Sequence, residues 1–210
     1  LTFMQEHPEV GIAGSRLEEP DGAVQRSAFR FPSVAGEFEG AVKTGPVTRL
    51  LRRWVVAPEP PGEAQRCDWV AGASMLIRRA VFDRVGLMDE GYFMYYEEVD
   101  FCRRAADAGW RCWYVPASRV VHLVGQSSGV TGKQTVVKRR PGYWFASRRR
   151  YFVRHHGRIA ATLADAAVLL GNALFRLRCG VSGRRSMLPP RFDRDLLRHS
   201  AAWRGERRSC

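Results

Sequence analysis

The sequence is poor in the residues that staple or metallate a small fold. Its five cysteines, at positions 67, 102, 112, 179 and 210, form no C-x-x-C pair and no finger-like spacing with the histidines. Neither a zinc site nor a disulfide framework is indicated, and a reducing cytoplasm is the expected compartment. No charged n-region and apolar h-region open the chain: Leu1 to His7 reads as the end of an amphipathic helix already under way, so an N-terminal truncation is expected. No internal repeat is found. The longest apolar run, Ile159 to Phe175, stops at about 17 residues and contains Asp165 and Asn172, which is marginal against the ~20 needed to span a bilayer.

Acidic residues are scarce in the second half. Residues 1–100 hold 11 Lys+Arg against 16 Asp+Glu, a net −5, whereas residues 101–210 hold 23 against 5, a net +18. That asymmetry calls for an anionic partner at the C-terminal part, a membrane surface or nucleic acid, and by itself chooses neither. The 210 residues, 45% hydrophobic, suffice for one sizeable core with appendages.

Local pattern predicts a strand over Val10 to Ser15 and a turn at Glu19-Pro20-Asp21-Gly22. Arg30 to Gln65 reads as a mobile excursion with a modest helical patch near Val47 to Trp54, broken by Pro58, Pro60 and Pro61. Trp69 to Ile77 is strand-like, Arg78 to Val85 fits a helix capped at Gly86, and a second helix runs from Glu97 to Gly109. Short strands are expected at Cys112 to Val115 and Val120 to Val124, giving an α/β sheet. A boundary near Gly129 to Gly132 separates a domain at 1–130 from a basic, mostly helical region at 131–210, where arginines interleave with Tyr143-Trp144-Phe145 and Tyr151-Phe152.

In order, the chain contains Trp69-Val70-Ala71-Gly72-Ala73-Ser74, then Met88-Asp89-Glu90-Gly91-Tyr92-Phe93-Met94-Tyr95-Tyr96-Glu97-Glu98-Val99-Asp100, then Ala108-Gly109-Trp110, and Tyr114-Val115-Pro116 leading to His122. Together with His7-Pro8-Glu9-Val10-Gly11 and the Pro20-Asp21-Gly22 turn, this succession resembles the second half of bacterial family 2 glycosyltransferases, in the rhamnosyltransferase-like and galactofuranosyltransferase-like branch. The resemblance runs over roughly residues 1–157. Any one segment is a short motif; their order and spacing carry the specificity.

The resemblance implies a partial GT-A fold (nucleotide-diphospho-sugar transferase) with a basic helical C-terminal extension, and an inverting, metal-dependent enzyme. It would use a nucleotide-sugar donor and a lipid-linked or polysaccharide acceptor in cell-envelope or exopolysaccharide synthesis. The donor site and an Asp-x-Asp metal motif would lie upstream of Leu1, since no Asp-x-Asp occurs here. Such transfer needs a base for the acceptor hydroxyl and a cation for the leaving diphosphate. The resemblance places the base at Glu98, where the family more commonly has Asp, within a catalytic group Glu97, Glu98 and Asp100. It also implies that His122 helps hold Mg²⁺ or Mn²⁺, and that Trp69, Gly72, Ala73 and Ser74 form the acceptor wall.

Plainer readings stand beside each of these. Glu97, Glu98 and Asp100 also suit a helix's first turn, with Asp100 paired to Arg103 or Arg104. His122 also suits a hydrogen-bonded strand histidine, and Trp69 a core residue. Tyr92, Phe93, Tyr95 and Tyr96 could line a groove or fill the core. Ile159 to Phe175 with its arginine flanks fits a helix lying in an anionic membrane interface, on the inner face of the cell membrane, or a solvated helical hairpin. A basic nucleic-acid module is the competing class; no RRM, OB or helix-turn-helix pattern supports it, and no nucleic-acid partner is expected.

Overall fold

The computed structural model describes residues 1–123 and 137–203. The expected boundary at Gly129 to Gly132, the end of the strand expected to reach Val124, and Cys210 lie outside the described residues. The described chain forms two compact units: residues 1–31, 56–91 and 96–123 make the first, and residues 32–55, 92–95 and 137–203 the second.

The elements in chain order are α1 (Thr2–Glu6), β1 (Val10–Glu18), β2 (Ala28–Phe29), α2 (Val34–Val42), α3 (Gly45–Leu50), β3 (Gln65–Cys67), β4 (Trp69–Val70), β5 (Met75–Ile77), α4 (Arg79–Val85), α5 (Glu97–Asp107), β6 (Arg111–Val121), α6 (Gly142–Val181) and α7 (Phe192–His199). The first unit is built on a four-stranded sheet in the order β3-β6-β1-β5, with a two-stranded β2-β4 ladder. The central pair β1 and β6 is parallel, and β5 and β3 join antiparallel on either side. This is a mixed α/β sheet, consistent with a partial GT-A fold. Ile12, Val70, Val81, Phe101, Cys102, Ala105 and Cys112 form its core, where β1 meets the apolar faces of α4 and α5.

Three expectations are corrected. Trp69 to Ile77 is two strands, not one: a turn at residues 71–74 sends β4 to the ladder and β5 to the main sheet. The two strands expected at 112–115 and 120–124 are one strand, β6, whose pairing with β1 shifts between Ser15 and Arg16, opposite the stretch containing Pro116. The excursion at 30–65 contains an ordered helix, α2, whose N-cap Ser33 accepts from the Gly36 N–H. Its residues group with the C-terminal helices rather than with 1–130.

The second unit packs α2 against α6, with α7 alongside. Gly157, at φ 80°, interrupts α6 and divides it into helices over 142–156 and 158–181. Gly171 lets α6 approach α2 closely, since a methyl group there would meet Ala41 Cβ at 2.6 Å.

The register of β3 on β6 sets Cys67 opposite Cys112, with the sulfurs 3.9 Å apart. Thiol hydrogen bonding with Cys102 and Cys67, together with burial, holds the Cys112 thiol well above its ordinary range. Iodoacetamide at about pH 8 is therefore expected to modify half-buried Cys67 and spare Cys112 in the folded chain. Peptide mapping that found both alkylated at one rate would contradict this packing.

Candidate active site

Helix α5 places the acidic group. Before it the backbone passes through the left-handed region twice in succession, at Tyr95 (φ 67°) and Tyr96 (φ 70°), at a cost on the order of 1–3 kcal/mol each. Tyr96 is the N-cap and supplies no side-chain cap, while Glu97, Glu98 and Asp100 crowd the first turn, where the helix dipole favours negative charge.

The three carboxylates have different surroundings. Asp100 is 0% exposed and accepts from Arg104 Nε at 2.8 Å. The same guanidinium donates to the Val85 and Leu87 carbonyls, tying α5 to the end of α4. Asp100 thus anchors α5 through Arg104, the supporting arrangement that its pairing at i+4 offers. Glu97 and Glu98 are half-buried, and each has an Oε2 shielded from water without a hydrogen-bond partner. Burial, and secondarily the charge of Glu97, pushes the Glu98 carboxyl up to about 7, against the pull of the Glu98 and Val99 N–H groups. A carboxyl with that value at the mouth of a helix is suited to exchange a proton near neutrality.

Beside it, the turn at residues 71–74 is partly open. Gly72 and Ala73 are exposed, and a methyl group on Gly72 would lie 3.7 Å from Glu98 Cβ. Ser74 is held from below: its hydroxyl bonds to Ser15 at 2.8 Å, and Ser15 to Ser118 at 2.9 Å. Trp69 is committed to packing, with one indole face stacked on Phe29 at 4.1 Å and its N–H donated to the Arg30 carbonyl at 2.9 Å. It shapes the strand under the turn.

His122 follows β6 and is held by a separate set of contacts. Its N–H donates to the Glu18 carbonyl at 2.9 Å. The Gln25 amide makes two further bonds, Nε2 donating to the His122 carbonyl at 2.9 Å and Oε1 lying 2.9 Å from His122 Nδ1. A main-chain carbonyl can only accept, so the amide is oriented with its nitrogen there and its oxygen toward the ring. The neutral ring is then protonated at Nδ1 and carries its lone pair on Nε2, the arrangement that outer partners impose on metal-binding histidines. Nearby, Glu18 is engaged by Arg16 and Arg119, and chiefly the Arg119 hydrogen bonds hold its carboxyl below the ordinary range. Among the described residues no group of three or more His, Cys, Asp and Glu could hold an ion by itself. His122 therefore fits a divalent cation as one ligand, not as part of a complete cage. Gln25 was not legible as a site residue: it lies 97 positions from His122 and belongs to no motif.

Residues 61–140 match the family described as glycosyltransferase like family 2. The N-acetylglucosaminyl-diphospho-decaprenol L-rhamnosyltransferase of Mycobacterium tuberculosis is 36% identical over 127 residues, 58% of this chain and 40% of that protein. A rhamnosyltransferase of Escherichia coli is 51% identical over 55 residues, 26% of this chain and 21% of its own. A low-salt glycan biosynthesis hexosyltransferase of Haloferax volcanii is 38% identical over 63 residues, 29% of this chain and 20% of its own. The stretch that includes β4, β5, α4, α5 and β6 is thus similar to family 2 glycosyltransferases, with rhamnosyltransferases among the relatives it matches. The chain spans well under half the length of these relatives.

Proposed function

We propose that the chain supplies the acceptor side and the base of an inverting, metal-dependent glycosyltransferase, one that moves a sugar from a nucleotide-sugar donor to a lipid-linked or polysaccharide acceptor in envelope or exopolysaccharide synthesis. The observation that carries this reading is Glu98: an unpartnered, shielded carboxyl oxygen at the start of α5, a carboxyl pushed up to about 7, and the open Gly72-Ala73 turn beside it. The relatives' names support L-rhamnose as the sugar and a polyprenyl-diphospho-N-acetylglucosamine as the acceptor.

In this mechanism Glu98, ionised, takes the proton of the acceptor hydroxyl as that oxygen bonds to the anomeric carbon and the bond to the donor diphosphate breaks. One displacement inverts the centre, and Glu98 then returns its proton to solvent. Asp100 and Arg104 hold α5 in place, and the small side chains at 72 and 73 let a sugar approach the backbone. His122 Nε2, oriented by Gln25, would be one ligand of Mg²⁺ or Mn²⁺, which when bound neutralises charge on the departing diphosphate. A lipid-linked acceptor supports a peripheral position at the cytoplasmic face of the cell membrane.

A chimera tests the reading. The matched segment of the mycobacterial relative is replaced by that of this chain, and labelled nucleotide-L-rhamnose is offered with polyprenyl-diphospho-N-acetylglucosamine. Labelled disaccharide lipid of inverted configuration is the expected product; a folded, donor-binding chimera that makes none would sink the proposal. In the same chimera, Gln25→Ala and His122→Ala are each expected to raise the half-saturating Mg²⁺ or Mn²⁺ concentration, Gln25→Ala by about 10- to 100-fold. Unchanged metal dependence in both would return the pair to a purely structural role.

A further inference from the structure

The second unit has an apolar core around Phe145, Val168 and Leu196, yet α6 after Gly157 turns its largest aliphatic side chains outward. At about 100° per residue, the inward face of α6 after Gly157 carries Ala161, Ala164, Asp165, Val168, Gly171 and Asn172, all buried. Its polar members have partners inside the unit: Asp165 accepts from Arg148 and Ser200, and Asn172 donates to Asp193. The opposite face carries Ile159, Leu163, Leu170, Leu174, Leu177 and Val181, between 41% and 84% exposed. These six fall within an arc of about 60°, and Ala166 and Ala173 extend it without adding a polar atom. A helix on a water-soluble unit shows the opposite order, apolar in and polar out. Small and hydrogen-bonded polar residues inside with large aliphatics outside is the order of helices whose outer solvent is lipid.

The margins of the stripe identify the occupant. Arg158 and Arg176 lie about 100° to one side of its first residue, and Arg178 about 100° to the other, all three exposed; Arg176 is paired with Asp193, whereas Arg158 and Arg178 donate to the uncharged Ala201 and Lys43 carbonyls and keep their charge at the margins. Arg184 and Arg185, exposed, follow the end of the helix. Over 137–203 there are 15 Lys+Arg against 3 Asp+Glu. Beside Ile159 and Leu163, a groove of about 290 Å³ is completed by Thr162, Ala201 and Ala202, with Arg158 at its edge. Cationic margins along both sides of an apolar stripe match an anionic interface with the helix lying flat, whereas a helix passing through the bilayer would meet hydrocarbon on all the faces its neighbours leave open. The helix is long and apolar enough to cross a membrane by length and composition, but its arginine margins run beside the stripe rather than only at its ends.

We propose that this unit docks on an anionic bilayer with the Ile159 to Val181 stripe at the boundary of headgroups and acyl chains. The inference rests on the helical unit alone. Vesicle binding without transfer, or transfer without vesicle binding, therefore separates its fate from that of the enzymatic reading. The 210-residue chain is sedimented with vesicles of phosphatidylcholine alone and with about 30% phosphatidylglycerol. Binding is expected only to the anionic vesicles, weakening with salt and reversed by alkaline carbonate. The triple variant Leu163→Glu/Leu170→Glu/Leu177→Glu should reduce partitioning at least about tenfold with its circular dichroism and Tm unchanged. Arg184→Glu/Arg185→Glu, outside the helix, should remove the preference for anionic lipid. The proposal is overturned if the parent chain does not bind, if both variants partition like it, if binding resists carbonate as a spanning helix would, or if the parent chain is a dimer in solution that the triple variant dissociates.

Discussion

Glu98→Gln is expected to lower sugar transfer by the chimeric enzyme about 100- to 10,000-fold while leaving donor binding within a few-fold of the parent. The amide keeps the shape and burial of the side chain and removes only its ability to accept a proton. The loss should fall on kcat rather than on KM, because the base acts as the acceptor hydroxyl ionises and not when substrates bind. The parent's rate should rise with pH and level off above about 7, where burial has pushed the carboxyl. The residual activity of the variant should lack that limb. Near-normal turnover in Glu98→Gln, or a pH limb that survives it, would remove Glu98 from the mechanism.

The same substitution carries a stability signature of the opposite sign. With the folded carboxyl near 7 and its ordinary value 4.5, the folded state retains a proton that the unfolded chain has lost between those limits. Below 4.5 both states are protonated and Glu98 costs nothing; stability then falls as pH rises, and the full cost is present above 7. Glu98 is half-buried, so removing its charge should stabilise the chain at about pH 8 by about 1–3 kcal/mol and have little effect at about pH 4. A residue whose neutral replacement stabilises the fold while abolishing turnover is one kept for chemistry.

The acidic motif, the small-residue turn and the histidine stand out as candidates in the sequence because each sits in a short ordered segment whose spacing is local. The helix at Glu97, the stop at Gly86 and the turn at Pro20-Asp21-Gly22 follow from local periodicity and from positive φ at glycine, and they occur as expected. What the sequence hid depends on distant partners. Asp100 looks like its neighbours along the chain, and only burial together with the pull of Arg104 on two carbonyls makes it an anchor. Gln25 acquires its role from a strand register that brings it to His122. Helix α2 was missed because its two glycines and two glutamates weaken the apolar period; its stability comes from close packing on α6 around Gly171.

Arg148 is a third such residue, and its removal should have the largest effect on stability. It stands in an arginine run that reads as a solvated face, yet it is 2% exposed. Its Nε and Nη2 donate to Glu37 at 3.0 and 2.8 Å, and its Nη1 to Asp165 at 2.5 Å; Asp165 is further bound by Ser200 at 2.6 Å. One guanidinium thus joins α2 to both halves of α6. Arg148→Met would leave the buried Asp165 and the half-buried Glu37 carboxylates without their cation and is expected to destabilise the helical unit by about 3–5 kcal/mol, read as a lower denaturation midpoint. Most of that cost belongs to the stranded charges and not to the lost pair. Arg148→Met combined with Asp165→Leu and Glu37→Leu should therefore recover much of it, whereas Arg150→Met, in the same run, tests whether any arginine there would give the same result. A loss from Arg148→Met within about 0.5 kcal/mol of a surface substitution would mean that the three groups are hydrated in solution and that the packing of α2 on α6 is looser than described. A large loss that the triple variant reverses would show that the network specifies how these helices join.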